Sequence, residues 1–309
     1  MSDNETRPAN GPAWFGVIAA CLFVLRVLVG VIAAPPAVAI GLTVVTTILF
    51  VMLPVVALFR ASAWEWSGKL AAAFLIVGVA LHVGGVLGAG QAGDRGLASV
   101  VLSAVAQTGL LIWCMGLGAL VSLLIKEKNL LLPVAIFLAG FDIFLVFYPA
   151  TPTARIVENN PAFFQKIAMS VPQVRQEAPP GEAPKTAGIE PLAHVGPADL
   201  FCIATFFACL FRFKMRVRET VRWLVPVLII YLILAFLPIG IGMLPALVPI
   251  GLTVLLVNLR EFQMSREERQ ATWGVGVIAL ALAAFGIYAR ITHEPTEAQS
   301  EPSISDSAP

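Results

Sequence analysis

Nine long apolar runs limit what this chain can fold into more than any motif does. They fall at 13–33, 36–59, 69–90, 97–125, 130–149, 195–213, 221–239, 242–259 and 272–290. About 20 apolar residues in a helix cross the hydrocarbon layer of a bilayer. In lipid every backbone N–H and C=O must be paired inside the protein, so runs of this length fold as helices. A soluble domain cannot hide this much apolar surface, because 58% of the 309 residues are hydrophobic and only 13% are charged. The predicted fold class is therefore all-α: a polytopic transmembrane helical bundle of about nine spans. The fourth run is long for one span and short for two, and is read as one tilted helix.

The runs divide the chain. Residues 1–12 and 291–309 are polar tails and are predicted to be disordered. Four helices over 13–125 form an N-terminal region. A second region covers 130–260 and contains the one long loop, 150–194, and 272–290 adds a further helix. The first half of the loop, ENNPAFFQKIAMSVPQV, is semi-apolar and suits a membrane surface. Its second half, RQEAPPGEAPKTAGIEP, reads as a flexible linker. Arg26 in the middle of the first run, and the length of that run, argue against a removable leader.

Orientation follows from the basic residues. One side carries Arg7, Arg60, Lys69, Lys126, Lys128, Arg212, Lys214, Arg216, Arg218, Arg222, Arg260, Arg266 and Arg269. The other carries Arg95, Arg155, Lys166, Arg175, Lys185 and Arg290. The predicted N-terminus is cytoplasmic, with loop 150–194 and the C-terminus external.

Several function classes drop out. The net charge is +1 and no basic stripe interleaves with aromatics, so no nucleic-acid partner is expected and the lipid bilayer is the evident one. Cys21, Cys114, Cys202 and Cys209 lie in apolar runs as small hydrophobes, without a CxxC pair. No HExxH exists, so zinc proteolysis is not expected. His82 reads as a satisfied interior histidine, and His194 and His293 as loop residues. Arg26 reads as a structural ion pair or a cavity-facing cation. Gly84, Gly85, Gly88 and Gly90 read as a helix-packing seam. REERQ, 266–270, reads as an exposed charged turn.

Two acids remain. Of 19 Asp and Glu residues, Asp142 and Asp199 alone fall within the predicted spans. An acid at that depth is expensive and marks a functional hypothesis. Asp142 follows Lys128 by 14 residues and Asp199 precedes Arg212 by 13, so both sit about 20 Å from the cytoplasmic flank. Their helices are consecutive and antiparallel, which can bring the carboxyls face to face. Two such groups share one proton, the state in which one carboxylate activates water while the other protonates a carbonyl. The competing readings are structural: Asp199 follows GP and can cap its helix, and Asp142 can pair with Arg26 or His82.

Three segments carry a family resemblance. AGFDIFLVF resembles the YD/FD helix of the presenilin and signal peptide peptidase family of intramembrane aspartyl proteases. HVGPADLFCIATFFACLFRF resembles its GxGD helix, with the basic-aromatic exit of the signal peptide peptidase branch. MLPALVPIGLTVLLV carries its PAL motif at Pro245, Ala246 and Leu247. The motifs come in the family's order, over about residues 130–260. Leu247 precedes Arg260 by 13 residues, which matches the depth of both acids.

The resemblance implies a catalytic dyad of Asp142 and Asp199, with Gly196 at the first Gly of GxGD and Phe141 at the family's Tyr or Phe. Pro245, Ala246 and Leu247 would shape the site and offer backbone groups to an extended substrate strand. Substrates would be single-span membrane proteins or signal-peptide remnants with a cytoplasmic N-terminus; no metal or organic cofactor is implied. Three departures stand out. Ala198 replaces the Gly before the acid, giving GPAD. Pro249 after PAL is expected to kink its helix. A ninth span follows PAL, while the N-terminal part is one helix short. HVGP is expected to be irregular backbone lining a cavity. Two alternatives stay open: a proton-coupled carrier using the acids as a relay, and an inactive relative that binds membrane helices, the reading Ala198 sustains.

Overall fold

The computed structural model describes residues 11–92, 96–151, 166–177, 190–236 and 245–293, with positions 155 and 164 besides. Most of both predicted tails, residues 158–163 and 165 of the predicted surface segment and 178–189 of the proline-rich half of the loop lie outside these residues.

Nine α-helices of twelve or more residues occur among the described residues. They are α1 Gly11–Val31, α2 Pro36–Ser62, α3 Gly68–Gln91, α4 Leu97–Leu124, α5 Leu131–Phe147, α6 Pro197–Arg212, α7 Val217–Phe236, α8 Leu247–Asn258 and α9 Arg266–His293. The fourth run is one helix, as expected. Six helices, α1 to α5 and α9, are long and apolar enough to cross a membrane. The fold is thus an all-α bundle with the make-up of an integral membrane protein. The expected count of nine spans narrows to six on length and composition. The helices α6 and α8 have 16 and 12 residues, too short at about 1.5 Å per residue to cover the hydrocarbon layer alone. Arg218, Glu219 and Arg222 make the first turns of α7 polar.

Helix α6 is the centre. From Leu200 to Phe211 every residue except Phe201 is buried, so the helix is apolar all round and must be surrounded. It packs against α4 and α2, with α8 and α7 also in contact. Gly118 of α4 admits the Ala204–Thr205 backbone of α6. The Arg212 guanidinium donates to the Ser122 carbonyl and, at 2.8 Å, to that of Ile125, closing the C-terminus of α4.

The helices α3 and α4 meet along a glycine seam. A Cβ on Gly78 or Gly85 of α3 would strike the Trp113 or Ala106 backbone. One on Gly109 or Gly116 of α4 would strike that of His82 or Leu75. Of the four glycines expected to pack, Gly85 and Gly88 do, while Gly84 and Gly90 face open space. The C-terminal helix α9 lies on α5 by the same device: a Cβ on Gly140 would sit 2.5 Å from the Ala279 carbonyl oxygen, and Gly286 opposes Phe144.

Loop 150–194 needs a correction, because part of it is β-structure. Strand β2 (Met169–Gln173) pairs antiparallel with β4 (Glu190–Val195), Ser170 lying opposite His194. Strand β3 (Arg175–Gln176) pairs parallel with β1 (Ala33–Ala34). The expected irregular HVGP is corrected too: His194 and Val195 are strand, and Gly196 is the N-cap of α6. Tethers from three helices explain why the segment is ordered. The Arg26 guanidinium donates to the Ser170 hydroxyl at 2.8 Å and to its carbonyl. Gln107 donates to the Ala168 carbonyl at 3.1 Å, and Thr43 accepts the Val174 N–H at 3.1 Å. Arg175 donates to the Gly30 and Val31 carbonyls at the C-terminus of α1, where a cation is favoured.

Candidate active site

Helix α5 brings Asp142 to the start of α8. Asp142 Oδ2 accepts the Leu247 N–H at 2.8 Å. Leu247 is the first residue of α8, and the N-cap Ala246 has no side-chain acceptor. The first amides of a helix have no partner within it, so this N–H needs an acceptor from elsewhere. A helix N-terminus also favours negative charge, which suits a carboxylate there. Because α8 begins at Leu247, Pro249 lies in its first turn, where the missing N–H is tolerated. The expected kink is therefore absent; the prolines inside helices are Pro54 of α2 and Pro226 of α7.

Asp199 arrives from the other side, in the first turn of α6. Pro197 opens that helix, as its fixed φ favours. The Asp199 N–H donates to the Gly196 carbonyl at 3.2 Å. A Cβ on Gly196 would sit 3.2 Å from Asp199 Oδ2, so the glycine leaves room for the acid. The Cys114 thiol of α4 donates to the Pro197 carbonyl at 3.5 Å and steadies this turn. Asp199 thus lies in the first turn of α6, where a helix N-terminus favours negative charge.

The charge of Asp142 acts on Asp199. Tyr231 of α7 feels both carboxylates, as does the Cys202 thiol. The Tyr231 hydroxyl donates to the Pro245 carbonyl at 2.5 Å. Five segments thus converge: α5 with Asp142, the β4–α6 corner with Gly196 and Asp199, α7 with Tyr231, the Pro245–Leu247 turn, and α4 with Cys114. Two carboxylates within reach of each other's charge can hold a proton between them.

The remaining expected site residues are placed unequally. Pro245 and Leu247 are buried in the cluster. The Ala198 side chain is exposed, so its extra methyl points out of the packed core. Phe141 stands about 100° round α5 from Asp142. It belongs to an aromatic ladder, Phe137–Phe141–Phe144–Tyr148, with ring centroids 5.6, 6.2 and 5.0 Å apart. Neither rival partner reaches Asp142. Arg26 is turned to Ser170, with its guanidinium 5.1 Å from the Phe50 ring centre. His82 Nδ1 bonds the Ala106 carbonyl at 2.8 Å. Among the described residues no group of three His, Cys, Asp or Glu is placed to hold a metal ion.

Two features escaped the sequence reading. Tyr231 is one of only three tyrosines in the chain, but its target is 14 residues away across a turn and carries no local signal. The charged turn REERQ also proves to be more than that. Ser265 and Glu268 form a reciprocal capping box at the start of α9: the Ser265 N–H bonds Glu268 at 2.6 Å and the Glu268 N–H bonds Ser265 Oγ at 3.2 Å. Asn129 joins it by donating to the Gln263 carbonyl and to Glu268. The S-x-x-E spacing is legible and was the available signal. No protein-family model, curated protein or solved structure matches the chain.

Proposed function

We propose that the chain is an intramembrane aspartyl endopeptidase. The observation that carries this reading is the Asp142 carboxylate, bonded to the Leu247 amide and within electrostatic reach of Asp199. The three segments that resemble the family's motifs meet at that point. Chance apolar helices would have no reason to bring their two acids together, given what each costs in lipid.

In the proposed reaction one carboxylate takes a proton from a water molecule held between the pair. The other, protonated, donates to the scissile carbonyl oxygen as the water attacks its carbon. The tetrahedral intermediate collapses, the nitrogen leaves with a proton, and the dyad regains its starting state. The peptide must be extended at the cut, because a helix hides its carbonyls in hydrogen bonds. The proposed substrates are single-span membrane helices or signal-peptide remnants with a cytoplasmic N-terminus. The proposed topology has α6, α7 and α8 completing nine crossings, with the N-terminus cytoplasmic and both the 150–194 segment and the C-terminus external.

Ala198, standing where the resembled motif has Gly, sustains one second reading, a relative that binds membrane helices without cutting them. The two separate in one assay on purified protein in liposomes, with a tagged single-span helix as substrate. Cleavage by the parent that is lost in both Asp142→Asn and Asp199→Asn supports the dyad. Cleavage only after Ala198→Gly identifies the binding relative. Cleavage that survives both Asn substitutions removes the protease reading.

A further inference from the structure

The Leu247 amide can hold Asp142 only if the turn that presents it is itself fixed. The first helical bond of α8 does little to fix it, because the Ile250 N–H lies 3.5 Å from the Ala246 carbonyl. Ala246 offers no side-chain cap. Pro245, buried, has no N–H with which to tie the turn back. The strong contact is the one from α7, where the Tyr231 hydroxyl donates to the Pro245 carbonyl at 2.5 Å. Only Ala246 lies between that carbonyl and the amide on Asp142, so two soft dihedrals join them. A shift of the carbonyl therefore passes almost directly to the amide.

We infer that Tyr231 is a positioning residue for Asp142, acting through the Pro245 carbonyl and the Leu247 N–H. This rests on the hydrolytic role proposed for Asp142. Nothing in the motif pattern points to it, since Tyr231 lies on the helix between the second and third motifs. The plain competing role is that a tyrosine in an apolar setting needs some acceptor for its hydroxyl. That role predicts a change in stability alone. The positioning role predicts a change at an atom Tyr231 does not touch.

The test uses the full chain in detergent micelles, with 13C-labelled aspartate and infrared detection of the carboxyl stretch. Asp142→Asn identifies the Asp142 band by its disappearance. Tyr231→Phe keeps the ring and removes only the hydroxyl, and thermal melting checks that it stays folded. Incorporation of 3-fluorotyrosine changes the donor strength without changing the shape and serves as a second probe. The expected result is a displaced Asp142 band in both proteins. In the cleavage assay kcat should fall about ten- to a hundredfold in Tyr231→Phe, while KM stays nearly constant. An Asp142 band that does not move in either protein overturns the inference, whether or not the parent cleaves. Loss of cleavage in the two Asn variants with an unmoved band would leave the dyad standing without its tether. A moved band in a protein that cleaves nothing would keep the tether and remove the hydrolase reading.

Discussion

Between α3 and α4 the two backbones press together at several levels, while around Asp142 and Asp199 the segments meet chiefly through polar contacts at helix ends. The first pair is joined by Gly78, Gly85, Gly109 and Gly116, each pressed on the facing main chain. Around the two acids the polar contacts are Leu247 to Asp142, Tyr231 of α7 to Pro245, and Cys114 of α4 to Pro197, beside one close approach of Gly251 of α8 to the Ala135 carbonyl of α5. Close backbone packing is rigid and has no room to spare. Isolated hydrogen bonds at a junction can re-form after displacement. The molecule thus has its glycine seam in the N-terminal region and its two acids at a junction tied by hydrogen bonds. The α5–α9 seam at Gly140 borders both, two residues from Asp142.

The contrast predicts a graded set of effects. Gly109→Leu should be the most damaging, because its side chain meets main chain that cannot move aside. A loss of about 3 kcal/mol or more is expected, read as failure to yield a monodisperse folded protein in detergent. Gly84→Leu, on the open face of α3, should change stability by less than about 0.5 kcal/mol. Equal damage from both would erase the distinction between seam and surface.

Gly140→Leu probes the border. It should push α9 from α5 and displace Asp142, lowering cleavage about a hundredfold while the protein still melts cooperatively. Loss of fold before loss of activity would mean that α9 belongs to the stiff region instead.

Arg26→Met removes the clasp on Ser170 but keeps the apolar stem. Removing a buried cation can even help global stability, so the melting temperature should hardly move. Amide hydrogens of 169–173 should exchange about tenfold faster, as local opening becomes easier. Unchanged exchange there would show that Gln107, Thr43 and Arg175 hold the hairpin without Arg26.

The smallest effect concerns pH. Burial pushes the His194 imidazole below its usual value. The unfolded chain then binds more protons than the folded one as pH falls through the ordinary histidine range. Stability should be full above about pH 6.5 and decline below it. His194→Gln should flatten the acid limb of the melting profile. A parent profile already flat between pH 7 and 5 would remove this role.

Much of this arrangement is legible in the residues, and the remainder has identifiable causes. Apolar length locates the long helices because lipid forces main-chain pairing within each segment. Asp142 and Asp199 stand out because they alone are acids in apolar runs. Gly196, Pro245 and Leu247, singled out by motif order, lie next to the two acids. The Phe141 ring stacks on Phe137 and Phe144, because adjacency in sequence is a 100° turn in a helix. Helix α6 starts later than its apolar run because hydropathy cannot separate a strand such as PLAHV from the helix it feeds. The hairpin was hidden in a polar, proline-rich loop because its order comes from Arg26, Thr43, Gln107 and Arg175, all distant in sequence from their targets. Glu268 and Ser265 were readable by spacing alone, and Tyr231 by no local rule.

The most direct measurement is single-turnover cleavage of a tagged single-span helix in H2 18O, with the products weighed by mass spectrometry. One 18O should enter the new C-terminal carboxylate in the parent, with no labelled or covalent enzyme intermediate. Asp142→Asn and Asp199→Asn should each release no product. Product from either Asn variant, or a covalent enzyme adduct in the parent, would contradict a water activated between these two carboxylates.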